Sequence, residues 1–209
     1  MGSDSKRERV PPPRKARRRR LASSERRSEL LDAAYELLKT RGEVGLRVED
    51  ITRAAGAAKG TFYLYFESVD ALLLALRERV VQEYAAAAAT RLGELRVGLD
   101  WWAWMEKEVG AFIDFQVELG PLHRALFHGP VSLRPSPEGL SAEVLVAGML
   151  HQGAALGAIS VEDVETTASL VFHLIHGSAD SVADGADRQR VIAATCQLLR
   201  EGLRVTRER

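Results

Sequence analysis

Apolar residues recur every three or four positions along most of the chain, and this spacing restricts the fold more than any other feature. It is the repeat of an amphipathic helix. We find no stretch of alternating apolar and polar residues bounded by turn signals, as a half-buried strand would require. Breakers such as Gly56, Gly120-Pro121 and the Gly- and Pro-rich segment 129–139 separate the helical stretches. The pattern predicts an all-α protein of about nine helices, over residues 24–41, 48–55, 58–64, 69–89, 101–119, 122–128, 141–156, 162–182 and 186–205.

Charge is distributed unevenly, although the 209 residues carry no net formal charge. Residues 1–66 hold 16 Lys and Arg against 9 Asp and Glu, whereas residues 67–209 hold 13 against 20. A basic first third joined to an acidic remainder indicates an anionic partner for the first third. At this point that partner is either nucleic acid or a membrane surface.

The most basic part of the chain is residues 1–23, which contain Pro11-Pro12-Pro13, the run Arg17–Arg20 and few apolar residues. Such a stretch buries too little apolar surface to offset its ordering entropy, so we predict a disordered basic arm. The arm either keeps the chain soluble or adds contacts to phosphate groups, and the sequence leaves both functions open.

The absence of several sequence features disfavours some classes of protein. Cys196 is the only cysteine, which excludes a disulfide framework and fits a cytoplasmic location. No run approaches the roughly 18 apolar residues that a membrane span needs. Neither a phosphate-binding glycine loop nor a G-x-S-x-G or H-E-x-x-H motif occurs. We therefore expect no cofactor, no enzyme activity and no association with a membrane.

Two short predicted helices meet at Gly56 within residues 48–66, VEDITRAAGAAKGTFYLYF. A tight glycine turn between short helices is typical of a helix-turn-helix, whose second helix enters the major groove of DNA. Phe62 and Phe66 supply apolar anchors toward the helix behind. The DNA-facing residues combine small side chains, which permit close approach, with a cation and hydroxyl groups. They are Ala57, Ala58, Lys59, Thr61, Tyr63 and Tyr65.

This segment resembles the DNA-binding domain of the tetracycline-repressor (TetR) family over roughly residues 26–76. The matching positions are Asp50-Ile51, Ala55-Gly56, Lys59-Gly60-Thr61-Phe62-Tyr63, Tyr65-Phe66 and Leu72, preceded by the helix over 31–41 and Gly42. The resemblance implies a three-helix DNA-binding domain over 24–68 and a helical ligand-binding and dimerisation domain over 69–209. It also implies a homodimeric transcriptional regulator, more commonly a repressor, that leaves a palindromic operator when a small molecule binds.

Three positions depart from the family pattern. Arg47 stands where the family usually has a Thr or Ser that caps the second helix and contacts phosphate; Arg can bind a phosphate but cannot cap. Ala58 replaces a frequent Ser or Thr, and Val69 replaces the usual Lys that opens the fourth helix. The motif is therefore poorer in phosphate contacts than its relatives. The basic arm is a candidate to supply the missing phosphate contacts.

Histidine and cysteine positions give little support for a metal or redox site. His173 and His176 lie three apart on one predicted helix, but we identify no cysteine and no nearby carboxylate to complete a tetrahedral set, so we predict no metal. These histidines are expected in a pocket or a helix interface. Cys196 falls beside Ile192 and Leu199 and is expected to be a small core residue.

The last two long helices, over 162–182 and 186–205, are the predicted dimer interface. The final helix is apolar on more than one side, as a helix between its own core and a partner must be. Two copies of each helix would form a four-helix interface. The alternative is a monomer with a wide core.

Aromatic and thioether side chains crowd the predicted helix over 101–119, which suits a large apolar cavity for a lipophilic, aromatic effector. One helical stripe, through Trp101, Met105 and Phe112, places Glu108 among apolar groups. A second stripe, through Trp102, leaves Glu108 at the edge, and the sequence does not choose between them. The alternative is that these side chains fill the core. The candidate ligand-binding residues are Trp101, Trp104, Met105, Glu108, Phe112, Phe115, Phe127, Met149, Phe172 and His176.

Two rival functions are an enzyme and a basic adaptor for membranes or RNA. The sequence contains no recognisable catalytic motif, which disfavours an enzyme, whereas the basic arm alone is compatible with an adaptor. A regulator should bind a DNA duplex with an inverted repeat in preference to a scrambled duplex, and an adaptor should not distinguish the two.

Overall fold

A computed structural model describes residues 14–42, 45–93, 100–129 and 142–203, with side chains from residue 23 onward. Within these ranges all regular secondary structure is helical, in agreement with the predicted fold class. The helices, in chain order, are α1 (Arg14–Arg41), α2 (Val48–Ala54), α3 (Lys59–Phe62), α4 (Val69–Gly93), α5 (Trp101–Leu119), α6 (Pro121–Phe127), α7 (Ala142–Ala155), α8 (Val164–Ala183) and α9 (Arg188–Gly202). None of these described helices is both long and apolar enough to cross a membrane.

Side-chain caps fix where several helices begin. Ser68 caps α4, because its Oγ accepts the backbone N–H of Ala71 at 3.1 Å. Three further helices begin after an aspartate whose carboxylate accepts backbone N–H groups of the first turn: Asp100 for α5, Asp163 for α8 and Asp187 for α9. Each cap satisfies backbone donors that would otherwise lack a partner inside the helix.

Helix α1 begins at Arg14, ten residues before the predicted start at Ser24. Residues 14–23 are therefore helical, where we expected part of a disordered arm. Their Arg, Lys, Ala and Leu residues have high helix propensity, and they extend a helix already fixed by the packed residues that follow. Residues 1–13 lie outside the described residues, and the proposed domain boundaries stay a prediction.

Buried side chains form two hydrophobic cores. The first core joins α1, α2, α3, the first half of α4 and α6. Its fully buried large side chains are Leu30, Leu38, Ile51, Phe62, Leu72, Leu76, Leu122 and Leu126. The second core joins the end of α4 with α5, α7, α8 and α9, and includes Trp101, Val109, Ile113 and Leu150.

Two helices connect the cores. Helix α4 contributes Leu72 and Leu76 to the first core and Ala85 and Ala88 to the second. Helix α6 follows α5 directly after Gly120 and inserts its leucines into the first core. The predicted helix-turn-helix segment is thus packed against α6, which lies in the predicted second domain over 69–209.

Cys196 is buried in the second core, as predicted, and burial raises the pKa of its thiol. A thiol held in the neutral form among apolar side chains is a poor nucleophile. The residue therefore acts as a small core side chain.

Gly153 of α7 lies against the indole ring of Trp101, which gives a test of the second core. A Cβ at this position would lie 2.6 Å from the Trp101 Cε2 atom, whereas at Gly148 on the same helix it would lie 3.5 Å from the nearest atom, Leu92 Cδ2. Gly153→Ala should lower the free energy of unfolding by about 1–3 kcal/mol because the large ring must shift. Gly148→Ala, the matched control, should be neutral or stabilising by up to about 1 kcal/mol because alanine favours the helix. Chemical denaturation measures both, and equal effects would contradict the packing described.

Candidate nucleic-acid interface and effector cavity

The turn between α2 and α3 depends on Gly56, whose φ of +60° is a conformation that L side chains rarely adopt. The chain then reverses through Ala57 and Ala58, and the backbone N–H of Ala57 donates to the Thr52 carbonyl at 2.8 Å. Helix α3 starts at Lys59 without a side-chain cap. The two helices thus form the compact helix-turn-helix that the sequence predicts.

Phe62 fixes the orientation of α3. Its side chain is fully buried in the first core, and its ring meets the Phe66 ring at a centroid distance of 5.7 Å. Tyr63, the next residue, is 53% exposed and lies edge-to-face with Phe62 at 5.4 Å. Both phenylalanines are buried, as predicted. One side of the α3 region is therefore held by the core while the other meets solvent.

The structure brings the predicted DNA-contact residues together around this exposed side. Arg47, Ala58, Lys59 and Tyr63 are exposed, whereas Ala57, Thr61 and Tyr65 are half-buried. Arg47 immediately precedes α2 and makes no side-chain cap, in agreement with the departure noted above. Leu64, between Tyr63 and Tyr65 in the chain, is 78% exposed, and sequence reasoning did not single it out.

Lys59 is paired with Glu49 of α2. The Lys59 Nζ and Glu49 Oε1 atoms lie 2.5 Å apart, and both side chains are about half exposed. This hydrogen bond raises the pKa of Lys59 and lowers that of Glu49. The carboxylate therefore stands beside the one lysine of α3 in this structure. Sequence analysis missed Glu49 because the two residues are ten positions apart on different helices.

An apolar cavity lies between α4, α5, α7 and α8, and we call it the effector cavity because the sequence predicts an effector site with several of its residues. Its lining residues are Tyr84, Met105, Glu108, Val109, Phe112, Ala142, Leu145, Val146, Met149, Phe172 and Ile175. The cavity volume is about 40 Å³, whereas sites for drug-sized ligands typically measure about 300–1,000 Å³. A ligand of that size would have to move the surrounding helices apart.

Five of the ten predicted ligand residues line this cavity: Met105, Glu108, Phe112, Met149 and Phe172. The other five lie elsewhere. Trp101 is packed in the second core against Gly153, and Trp104 packs against the same core. Phe115 and Phe127 pack against the first core, and His176 belongs to a polar cluster described below. The prediction did not separate these groups because a ring that fills a core and a ring that lines a cavity look the same in sequence.

Glu108 is 6% exposed, which selects the helical stripe that places it among apolar groups. Its carboxylate accepts from Arg91 Nε of α4, at 2.8 Å to Oε1 and 3.0 Å to Oε2. The Arg91 guanidinium also lies over the Tyr84 ring, and burial raises the pKa of Tyr84 to about 12. The polar end of the cavity therefore holds a paired carboxylate and a neutral phenol. Arg91 and Tyr84 were not among the predicted residues.

His173 and His176, which are three residues apart on one helix, do not form a pair in the structure. His173 is exposed and its Nδ1 donates to the Ser169 carbonyl at 2.7 Å, whereas His176 lies beside Asp180 in a cluster with His123 and His128. The sequence argument that no carboxylate lies near these histidines is therefore wrong. Asp180 is one helical turn beyond His176, and α6 brings the other two histidines from about fifty residues away.

A small helix-turn-helix with an exposed α3, followed by further helices, is typical of DNA-binding transcriptional regulators. Residues 30–76 match the family described as bacterial regulatory proteins, tetR family. This match confirms the resemblance given by the helix-turn-helix residues.

Individual relatives agree with this assignment. The chain is 42% identical over 53 residues to the uncharacterised HTH-type transcriptional regulator YvdT of Bacillus subtilis, covering 25% of this chain and 27% of that protein. It is 37% identical over 69 residues to the HTH-type transcriptional regulator EthR of Mycobacterium tuberculosis, covering 33% and 32%. The chain thus matches about a third or less of the length of these relatives.

A solved structure extends the likeness over most of the chain. It is Thermus thermophilus FadR, a TetR-family transcriptional repressor, in complex with lauroyl-CoA, with a TM-score of 0.66 and 22% identity over 88% of this chain and 97% of that one. At this identity the likeness shows the fold.

Proposed function

We propose that this protein is a ligand-responsive transcriptional regulator, a repressor, that binds a palindromic operator as a homodimer. A small lipophilic effector releases it. The observation that carries the proposal is the α3 region, where a fully buried Phe62 holds an exposed surface of Lys59 and Tyr63. The match of residues 30–76 to the family and the helical fold support the same function.

The proposed DNA contacts are made by one face of the helix-turn-helix. Phosphates would be bound by Arg47, Lys59 and the Tyr63 hydroxyl, and Tyr65 would add a further hydroxyl. Ala57, Ala58 and Thr61 are small enough to let α3 enter the major groove. In a two-fold dimer the two α3 helices would reach half-sites about 34–36 Å apart.

Substitutions of Lys59 and Glu49 test this interface, because they should change operator affinity in opposite directions. Lys59→Ala should weaken operator binding and reduce the dependence of log K on log salt by about one unit, because a phosphate contact is lost. Glu49→Gln should strengthen binding, because the carboxylate no longer competes for Lys59 or repels phosphate.

Tyr63→Phe should weaken binding to all operators alike, and Thr61→Ala should relax the sequence preference. Fluorescence anisotropy with an inverted-repeat duplex and a scrambled duplex measures all four.

Lys107→Ala is the matched control, since Lys107 is an exposed lysine on α5. It should leave operator binding unchanged. If Lys59→Ala and Tyr63→Phe both bind as the unaltered protein does, the proposed interface is wrong. Equal affinity for the inverted-repeat and scrambled duplexes would instead support a basic adaptor.

The proposed dimer interface lies on α8 and α9. The inner sides of these helices are occupied by the chain's own core, through Ala168, Val171 and Ile175 on α8 and Ile192 and Leu199 on α9. Large apolar side chains remain on the outer sides, with Leu170 67% exposed and Leu198 59% exposed. A second copy of the same surface would remove both from water.

Leu198→Glu should therefore convert the dimer to a monomer at micromolar concentration, because it places a charge in an apolar interface. Val144→Glu is the matched control: Val144 is 56% exposed, but it lies on α7. Light scattering coupled to size exclusion measures the mass of each variant. A monomeric unaltered protein, or an unchanged dimer in Leu198→Glu, would refute this interface.

The proposed effector binds in the effector cavity. Its walls are almost entirely apolar, and the polar groups that line it, Glu108 and the Tyr84 hydroxyl, are suited to orient one hydrogen-bonding group of a lipophilic molecule. The fold neighbour from Thermus thermophilus, which is described in complex with lauroyl-CoA, supports a lipophilic ligand for this fold. Because the cavity measures about 40 Å³, binding must rearrange its helices, and such a rearrangement is what release from DNA requires.

Lipophilic compounds that raise the melting temperature should also dissociate the operator complex, since a ligand shifts a conformational equilibrium only through unequal affinity for its two states. Ala142→Trp, which places a large ring in the cavity wall, should abolish both effects. Ala155→Trp, at the exposed far end of α7, should abolish neither. Differential scanning fluorimetry followed by operator-release assays measures both. If only small, highly polar metabolites stabilise and release the protein, the apolar cavity is not the effector site.

A further inference from the structure

Three histidines and an aspartate meet where α6 lies against α8. His123 is in the first turn of α6 and His128 directly follows its last residue, whereas His176 and Asp180 are one turn apart on α8. One ligand atom from each of the four residues lies within 4.8 Å of the others. None of the four lines the effector cavity or belongs to the proposed DNA interface.

The cluster contains nitrogen atoms whose hydrogen-bonding capacity is not used. Among the described residues, His123 Nε2 and His176 Nδ1 are buried and have no hydrogen-bond partner. Asp180 Oδ1 lies 3.1 Å from His128 Nε2 and 3.8 Å from His123 Nδ1, so the carboxylate already faces two of the rings. Buried polar atoms without partners are costly, and their presence in a cluster calls for a ligand or another explanation.

The three imidazole rings also lie close together. Ring centroids are separated by 5.0 Å for His123 and His128, 5.2 Å for His123 and His176, and 5.7 Å for His128 and His176. A neutral imidazole has a nitrogen lone pair to donate, and this is the form in which histidine binds metals.

We propose that His123, His128, His176 and Asp180 form a binding site for a divalent first-row transition metal, with Zn²⁺ as the best fit. Three imidazole nitrogens and one carboxylate oxygen supply four ligands of the types that Zn²⁺ prefers. A site with four protein ligands is coordinatively closed. It is therefore suited to fix structure rather than to activate water.

The observed geometry is close to that of a tetrahedral site. Zn–N distances of about 2.0–2.1 Å place neighbouring ligand atoms of a tetrahedron about 3.3 Å apart. The His128–Asp180 distance of 3.1 Å already meets this value, and the other ligand atoms, all within 4.8 Å of one another, would have to approach by up to about 1.5 Å. The His128 and Asp180 side chains are partly exposed and therefore have room to rotate toward a bound ion. The open groove beside the cluster, which is lined in part by Arg124 and Asp184, gives an ion access from solvent.

The position of the site predicts its effect. A metal bound here would join α6, which is packed into the first core, to α8, which belongs to the second core. It should therefore raise the melting temperature, because it adds bonds that the unfolded chain lacks. This inference does not depend on the proposed operator or effector, and its test uses neither.

The experiment is a metal titration of the full-length chain without an affinity tag, in competition with a chromophoric chelator. We expect one Zn²⁺ per chain, an increase in melting temperature, and, with Co²⁺ as probe, the intense visible absorption bands of tetrahedral coordination. Asp180→Asn keeps the shape of the side chain but removes its charge, and it should weaken Zn²⁺ binding by at least about tenfold, as should His176→Ala. Circular dichroism checks that each variant is folded.

His173→Ala and His151→Ala are the matched controls, because both histidines are exposed and lie outside the cluster. They should bind Zn²⁺ as the unaltered chain does. The proposal is overturned if the chain does not bind one Zn²⁺ stoichiometrically, if the Co²⁺ spectrum is octahedral, or if folded Asp180→Asn binds no more weakly than His173→Ala.

Discussion

The rest of the structure depends on the burial of Leu122 and Leu126 of α6 inside the first core. Both side chains are fully buried in the same core as Leu30 and Phe62, and Phe62 is the residue that orients α3. Burying a leucine contributes about 1.5–3 kcal/mol, so this contact is a substantial part of what holds the small DNA-binding segment together. The segment is thus completed by a helix from the second half of the chain.

Helix α5 connects the effector cavity to the first core. Glu108 and Phe112 line the cavity, and Leu119 at the end of the same helix is buried in the first core. Gly120 then leads directly into α6. A ligand that widens a cavity of about 40 Å³ must displace α5 or its neighbours, and closely packed interiors do not absorb such changes locally. The fold therefore provides a continuous packed route between the proposed effector and the proposed DNA-binding surface.

Sequence reasoning was accurate where the signal is local. The starts of α4 and α5, the glycine turn at Gly56 and the burial of Phe62 follow from capping, backbone conformation and helical spacing within a few residues. It was less accurate for the effector cavity. Trp101 packs against Gly153 some fifty residues away, and no property of the tryptophan itself distinguishes that position from a cavity wall.

By itself the sequence determined most of the helices and the family resemblance, because helical periodicity, glycine turns and a short motif are encoded by neighbouring residues. Only the tertiary structure decided which charged and polar groups meet. Glu49 reaches Lys59 across a turn, Arg91 of α4 pairs with the buried Glu108, and Asp180 joins histidines from α6. The physical reason is that an electrostatic contact requires two groups within a few ångströms of each other, and helix packing, not position along the chain, fixes that distance.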